Sequence, residues 1–157
     1  MLDFQPIEIK DKPQADAILK ELKSYFCAHC FTDLFIWQSA YETEVCFRDG
    51  FFFIKQIQDE ETIYTVPLGK GDLAAAIELV RQDAAERGVP FRLSAVNENQ
   101  KNEIESIMPD FFSFSEERDS EDYIYTAESL KTLAGKKLHS KRNFVNRFKE
   151  IFDGRWI

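Results

Sequence analysis

Apolar positions along this chain switch between a period near two and a period near 3.6, and the switches mark its elements. Phe4 to Ile9 alternates, which predicts a short strand. In "KPQADAILKELKSYF", Ala15, Ile18, Leu19, Leu22 and Phe26 share one helical face. "FTDLFIWQSAY" repeats that spacing with Phe31, Leu34, Phe35 and Tyr41, and Thr32 or Asp33 is placed to cap it. "TEVCFRDGFFFIKQIQ" reads as strand, turn, strand, because Asp49-Gly50 suits the positive φ angles of a tight hairpin. "TIYTVPLG" predicts a third strand. "DLAAAIELVRQDAAERG" predicts a long helix with Asp72 as N-cap and Gly88 just past its end. "VPFRLSAV" reads as a buried strand, and "NENQKNEIESIM" as a helix with Asn97 at its start. "FFSFSEERDSEDYIYT" reads as two strand pieces around an acidic turn. "LKTLAGKKLH" is a short helix or linker, and Ser140 is placed to cap a last helix.

The order β-α-α-β-β-β-α-β-α-β predicts a mixed α/β fold. Its front half is largely antiparallel, and a β-α-β unit follows. No G-x-G-x-x-G follows the first strand and no P-loop is present, so a doubly wound nucleotide fold is not expected. With 157 residues, 44% of them hydrophobic and fifteen of them Phe, the chain is long enough for one domain with a real core. No apolar run is long enough to span a membrane. "MLDFQPIEIKDK" has neither a basic nor an apolar signal region. The odd count of three cysteines then reads as reduced thiols in a cytoplasmic protein.

Charge changes this picture. The chain carries net −8, yet Lys131 to Ile157 holds eight basic and two acidic residues, net +6. Twelve basic and twenty-six acidic residues remain in the rest, net −14. The acidic body argues against non-specific coating of nucleic acid. The basic segment carries Lys136, Lys137, Lys141, Arg142, Asn143, Arg147 and Lys149 beside an apolar face of Phe144, Val145, Phe148, Ile151 and Phe152. A solvated amphipathic helix is the plain reading. Four cations between Lys136 and Arg142 with no acidic neighbour equally suit a polyanion: a tRNA backbone, a coenzyme phosphate or an anionic lipid headgroup.

Three other motifs carry chemistry. In "VPLGKGDL", Gly69, Lys70 and Gly71 join a strand to a helix, where backbone amides and the helix N-terminus suit a pyrophosphate; turn-making glycines are the competing explanation. "CAHC", Cys27 to Cys30, has the look of a metal or redox signature. A structural zinc needs four ligands and only Cys46 is left to join, so small buried thiols are favoured and no metal is expected. "SEERDSEDY" lacks EF-hand spacing and reads as a solvated turn. No spacing supports a serine-histidine-acid or cysteine-histidine arrangement.

The strand and helix order resembles the GNAT acyltransferase fold, in which a strand and the following helix hold the acyl-CoA pyrophosphate through backbone amides. "IYTVPLGKGDLAAAIELV" resembles that element, although Val66 or Pro67 stands where the family has a basic residue or Gln. "FRLSAVNENQKNEIESIMPDFFSF" resembles the next strand and helix. A closer resemblance covers nearly the whole chain. "FTDLFIWQSAY", "DGFFFIK" and above all "GKKLHSKRNFVNRF" are similar to a bacterial family, mostly uncharacterised, related to the C-terminal domain of phosphatidylglycerol lysyltransferase.

That resemblance implies tandem GNAT-like domains, of which this chain corresponds to the first. Residues 1–132 would form the GNAT-like domain, 133–152 a basic linker and junction helix, and 153–157 the start of a second domain. The implied chemistry is acyl or aminoacyl transfer, from aminoacyl-tRNA or with acyl-CoA as cofactor. The expected partner is a second GNAT-like domain, in cis or in a homodimer. His139 is the candidate general base, histidine being the side chain that most often serves in that role. Two alternatives stand beside this: a stand-alone CoA-dependent N-acyltransferase, and a non-catalytic interaction domain.

Overall fold

The computed structural model describes residues 1–22, 24, 26–116, 118, 121, 123–152 and 155. The chain forms two compact units, 1–116 and 117–157.

The first unit holds β1 (Gln5–Pro6), α1 (Lys12–Leu22), α2 (Phe31–Ile36), α3 (Gln38–Tyr41), β2 (Glu44–Arg48), β3 (Phe51–Gln58), β4 (Glu61–Thr65), β5 (Leu68–Gly69), α4 (Leu73–Arg87), β6 (Leu93–Ser94) and α5 (Glu98–Ile107). The sheet runs β1-β2-β3-β4-β6, and β5 also pairs with β3. Every pairing is antiparallel except β4 with β6, where Tyr64 faces Leu93. This is the mixed, mostly antiparallel sheet flanked by helices that the pattern predicts, and it is consistent with a GNAT-like fold.

Strand β3 explains the run "FFFI". Successive side chains point to opposite faces of a sheet. Phe51 and Phe53 enter a cluster with Tyr64, Ile77, Val80 and Ile104, on the α4 side. Phe52 and Ile54 enter a second cluster with Ala15, Leu19, Phe31 and Leu34, on the α1 side. A strand covered on both faces needs a continuous apolar run, not an alternating one.

The local signals are realised. Asp49 and Gly50 take φ of 50° and 82° in the β2–β3 turn. Asp72 caps α4 by accepting from the Ala75 N–H at 3.0 Å, and Gly88 ends it in a left-handed conformation. Asn97 and Gln100 form a reciprocal capping box on α5.

Several expected elements differ. The strand expected over 4–9 shrinks to Gln5–Pro6, since Pro6 has no N–H to donate and a 3-10 turn begins at Ile9. Cys30 occupies the N-cap of α2 without a side-chain hydrogen bond; Thr32 and Asp33 lie inside the helix. "TIYTVPLG" breaks at Val66-Pro67, and β5 folds back so that Gly69 faces Phe51. "VPFRLSAV" pairs only at Leu93 and Ser94, both half-buried. None of the described residues of "FFSFSEERDSEDYIYT" forms a strand. Its aromatics are held by packing instead: Phe112 meets Phe91 at 5.7 Å and Phe114 at 6.2 Å between ring centroids, against the α4-side cluster.

One polar network ties this unit together. Asp83 on α4 is wholly buried. Its carboxylate accepts from the Leu2 N–H at 3.1 Å, the Tyr64 hydroxyl at 3.0 Å and Arg87 Nε at 2.7 Å. N-terminus, strand and helix are thereby joined at one buried charge. Burial and the adjoining carboxylate push the Tyr64 phenol up, so it stays a donor.

The second unit holds α6 (Ala127–Thr132), a 3-10 turn at Lys136–Leu138 and α7 (His139–Phe152). Thr126 caps α6, and Leu133 ends it at φ 48°. Ser140 lies inside α7, which begins one residue earlier as the 3-10 turn runs on into it.

Candidate functional site

The loop between β4 and α4 borders a cleft of about 260 Å³, with Leu22, Pro67, Lys70, Gln100 and Glu103 among its walls. Gly69 and Gly71 owe their identity to packing and to φ angles of 159° and 152°, which other residues rarely adopt. A Cβ on Gly69 would stand 2.3 Å from the Gly50 carbonyl oxygen and 2.9 Å from Phe51 Cα. One on Gly71 would stand 2.9 Å from the Phe51 ring. The loop thus lies directly against the β2–β3 turn, and close backbone approach demands glycine. Lys70 Nζ pairs with Glu21 at 2.6 Å, and this pair pulls the Glu21 carboxyl down from its ordinary value. With Asp72 capping the helix and Glu103 on the wall, the cleft has mixed charge over an apolar floor.

The "CAHC" stretch forms a 3-10 turn at Cys27–His29 that lies beside α1. All three cysteines are thiols rather than disulfides; Cys46 is buried, but Cys27 and Cys30 are exposed, so the buried thiols expected of this stretch are not found there. Cys46 belongs to the α4-side cluster, whereas the residues around His29 border the α1 side. Among the described residues no three potential metal ligands gather. His29 is 8% exposed, and neither ring nitrogen has a hydrogen-bond partner. Burial lowers its pKa from 6.5. The unfolded chain therefore binds this proton more readily than the folded one. Its contribution is fully present above 6.5 and is lost as pH falls through that value toward the lower folded pKa. His29→Leu is expected to gain about 1 kcal/mol at pH 8, by removing an unsatisfied buried polar group. The variant should also lose less stability than wild type between pH 8 and pH 5.5 in urea titrations. Parallel pH profiles for the two proteins would show that His29 is not the group responsible.

In the second unit, the sequence-nominated cations divide by role. Arg142 Nη1 donates to the Leu133 carbonyl and, at 3.1 Å, to the Gly135 carbonyl. It therefore braces the turn that follows α6. Lys141 Nζ lies 5.1 Å from the centre of the Tyr125 ring. Asn143 Nδ2 approaches His139 Nδ1 at 3.4 Å, one helical turn apart. Lys136, Lys137, Arg147 and Lys149 are exposed. Among the described residues, no cation of this unit forms an ion pair. The bracing role of Arg142 and the stacking of Tyr125 were not foreseen from sequence. The aromatic spaced sixteen residues before Lys141 carries no periodic signal.

The match to known families runs across both units. The family described as "Phosphatidylglycerol lysyltransferase, C-terminal" matches residues 19–152. The chain belongs to this family. It is also similar to a crystal structure of a conserved protein of unknown function from Bacteroides thetaiotaomicron VPI-5482. That likeness has a TM-score of 0.86 at 32% identity, over 98% of this chain and 52% of the other. The chain thus spans about half the length of that relative. No curated protein matches it. The phosphatidylglycerol lysyltransferase C-terminal match takes in the β4–α4 cleft and the whole of α7, so neither feature lies outside the family. Among the described residues no helix is long and apolar enough to cross a membrane.

Proposed function

We propose that this chain is one half of an acyl or aminoacyl transferase, acting with a second GNAT-like domain on a phosphate-rich donor such as aminoacyl-tRNA. The observation that carries this reading is the basic segment. The family match extends through it, and its cations have no acidic partners among the described residues. Lys136, Lys137, Lys141 and Arg147 would meet donor phosphates, and Arg142 would hold the turn that presents them. Asn143 would orient the ring of His139. Transfer to an amine or hydroxyl needs chiefly positioning and support of the tetrahedral oxyanion.

As general base, His139 would accept the acceptor's proton at Nε2. That requires the proton on Nδ1, facing the Asn143 side-chain oxygen. The observed arrangement has the Asn143 NH₂ toward Nδ1, which leaves Nε2 a donor, so the base role needs that amide turned over. Asn143→Leu should therefore lower turnover more than donor affinity.

The reading predicts tRNA binding that weakens steeply with salt, because neutralised phosphates release counterions. Lys136→Glu combined with Lys137→Glu should weaken binding at least tenfold and flatten the salt slope by about 2. Filter binding across a salt series measures both. Unchanged affinity, with an unchanged melting temperature, would count against the polyanion reading.

A stand-alone CoA-dependent reading would rest on Gly69, Lys70 and Gly71. The glycines have a packing reason of their own and Lys70 is paired with Glu21. CoA titration followed at the amides of Leu68 to Leu73 tests it. Concerted, saturating shifts there would promote the coenzyme to donor.

A further inference from the structure

The turn between α1 and α2 presents its residues in the reverse of the order that packed thiols require. His29 is the buried member, its ring nearly perpendicular to that of Phe26 at 5.4 Å between centroids, while Cys27 and Cys30 are exposed. The Cys30 N–H donates to the Cys27 carbonyl at 3.0 Å, which closes the four residues into one turn. The Cα atoms at the two ends of such a turn stand within about 7 Å of each other. Disulfides span about 4.4–6.8 Å between Cα atoms, so the backbone here suits a bond between the two cysteines. That approach is fixed inside four residues, whatever lies against the turn. Cys30 also borders a recess of about 330 Å³ whose walls include Lys12 and Lys20. Lys12 is engaged by Asp16 at 2.7 Å, and Lys20 is exposed. Among the described residues no third metal ligand joins the pair.

From this we propose that Cys27 and Cys30 form a dithiol site for two-electron exchange with a low-molecular-weight disulfide that carries carboxylates, of the kind of glutathione disulfide. The exchange proceeds in two displacements. The Cys30 thiolate attacks one sulfur of the small disulfide, whose S–S bond breaks, and the departing thiolate takes up the proton that Cys30 released. The Cys27 thiolate then attacks the Cys30 sulfur. The mixed disulfide breaks, the Cys27–Cys30 bond forms, and a second small thiol leaves with the proton from Cys27. Two electrons pass from the protein to the small molecule, and excess small thiol reverses both steps. Cys30 takes the first role because the ammonium groups around its recess attract carboxylates. Cys46 is the contrast: it sits in the α4-side cluster, burial pushes its thiol up, and a buried structural thiol is inert. A packing role alone would turn Cys27 and Cys30 inward as well. The inference is independent of the transferase reading, since it concerns the connection between α1 and α2 and not the donor.

The test is equilibration of the full chain with glutathione buffers of graded ratio, followed by acid quenching, alkylation of the remaining thiols and intact-mass measurement. Wild type is expected to lose two thiols together, with no glutathione retained. Cys46 should react only after unfolding. Cys27→Ser should instead hold one glutathione, which fragmentation places on Cys30; absence of that adduct would overturn attack by Cys30. Because the fold holds the turn closed, the internal bond should form at least roughly tenfold more favourably in the folded chain than in concentrated urea. Four results would overturn the proposal. One is wild type that retains a glutathione on each cysteine, which would make the two thiols independent. Another is a disulfide between chains in place of one within the chain. A third is the same equilibrium in urea as in the folded chain, which would leave the fold no part in the pairing. The last is resistance of both thiols to exchange until the chain unfolds.

Discussion

Asp83→Ala is expected to destabilise the first unit by about 3 kcal/mol or more, the largest effect of any polar substitution in this chain. Three donors converge on that wholly buried carboxylate: the Leu2 amide, the Tyr64 hydroxyl and Arg87. Removing the acceptor strands all three. The Leu2 amide and the phenol lie in an apolar surround of Phe4, Val80 and Ala84, so water does not readily replace the lost bonds. Arg87 is 30% exposed and can hydrate in part, which sets the expectation near the lower end for a broken buried pair. Tyr64→Phe removes one donor and leaves the carboxylate two others, so about 1 kcal/mol is expected there. Urea unfolding of the two variants measures the contrast. Equal, small losses would mean that the N-terminus is held by Leu2 and Phe4 packing alone.

Gly69→Ala should cost about 3 kcal/mol or more, because the added methyl meets backbone and not a movable side chain. The Gly50 carbonyl oxygen at 2.3 Å belongs to the β2–β3 turn and cannot step aside without breaking the pairing of Gly69 with Phe51. Gly71→Ala meets the edge of the Phe51 ring, a side chain and not backbone, but also strains a φ of 152°, so about 2 kcal/mol is expected. Thermal melts of both variants order them. A milder loss at Gly69 than at Gly71 would show that the turn yields where the ring does not. The contrast also bears on ligand work: a glycine variant that stops binding CoA is informative only if its melting temperature has been measured.

These two sites show where sequence reading stops. The Asp49-Gly50 turn, the Asp72 cap and the Asn97 cap are legible because each is complete within four residues. Asp83 is not. Arg87 lies one helical turn on, but the other two partners lie eighty-one and nineteen residues away, and only folding brings them to the same carboxylate. The stretch after α5 was misread for a related reason. Phe112 and Phe114 carry the aromatic content of a strand, but they pack on one another at a tilt, and Phe112 packs on Phe91. Whether such a run joins a ladder depends on a neighbouring strand with open bonds, and β6 offers only two residues. In the basic segment, charge was legible and role was not. Arg142 and Arg147 look alike in sequence, yet Arg142 is directed at two backbone carbonyls, and a carbonyl carries no residue identity to be read.

The sheet's edges bear on how this protein associates. β1 and β6 are two residues each, and β1 contains Pro6. Long, flat edges with open N–H and C=O rows recruit strands from other chains; edges this short, one of them interrupted by proline, offer almost no template. Strands β1 and β6 thus offer little template for growth of the sheet. A contact made by side chains of the flanking helices, unlike one made by a strand, is a kind of union that one surface substitution can tune or abolish without touching the ladder beneath.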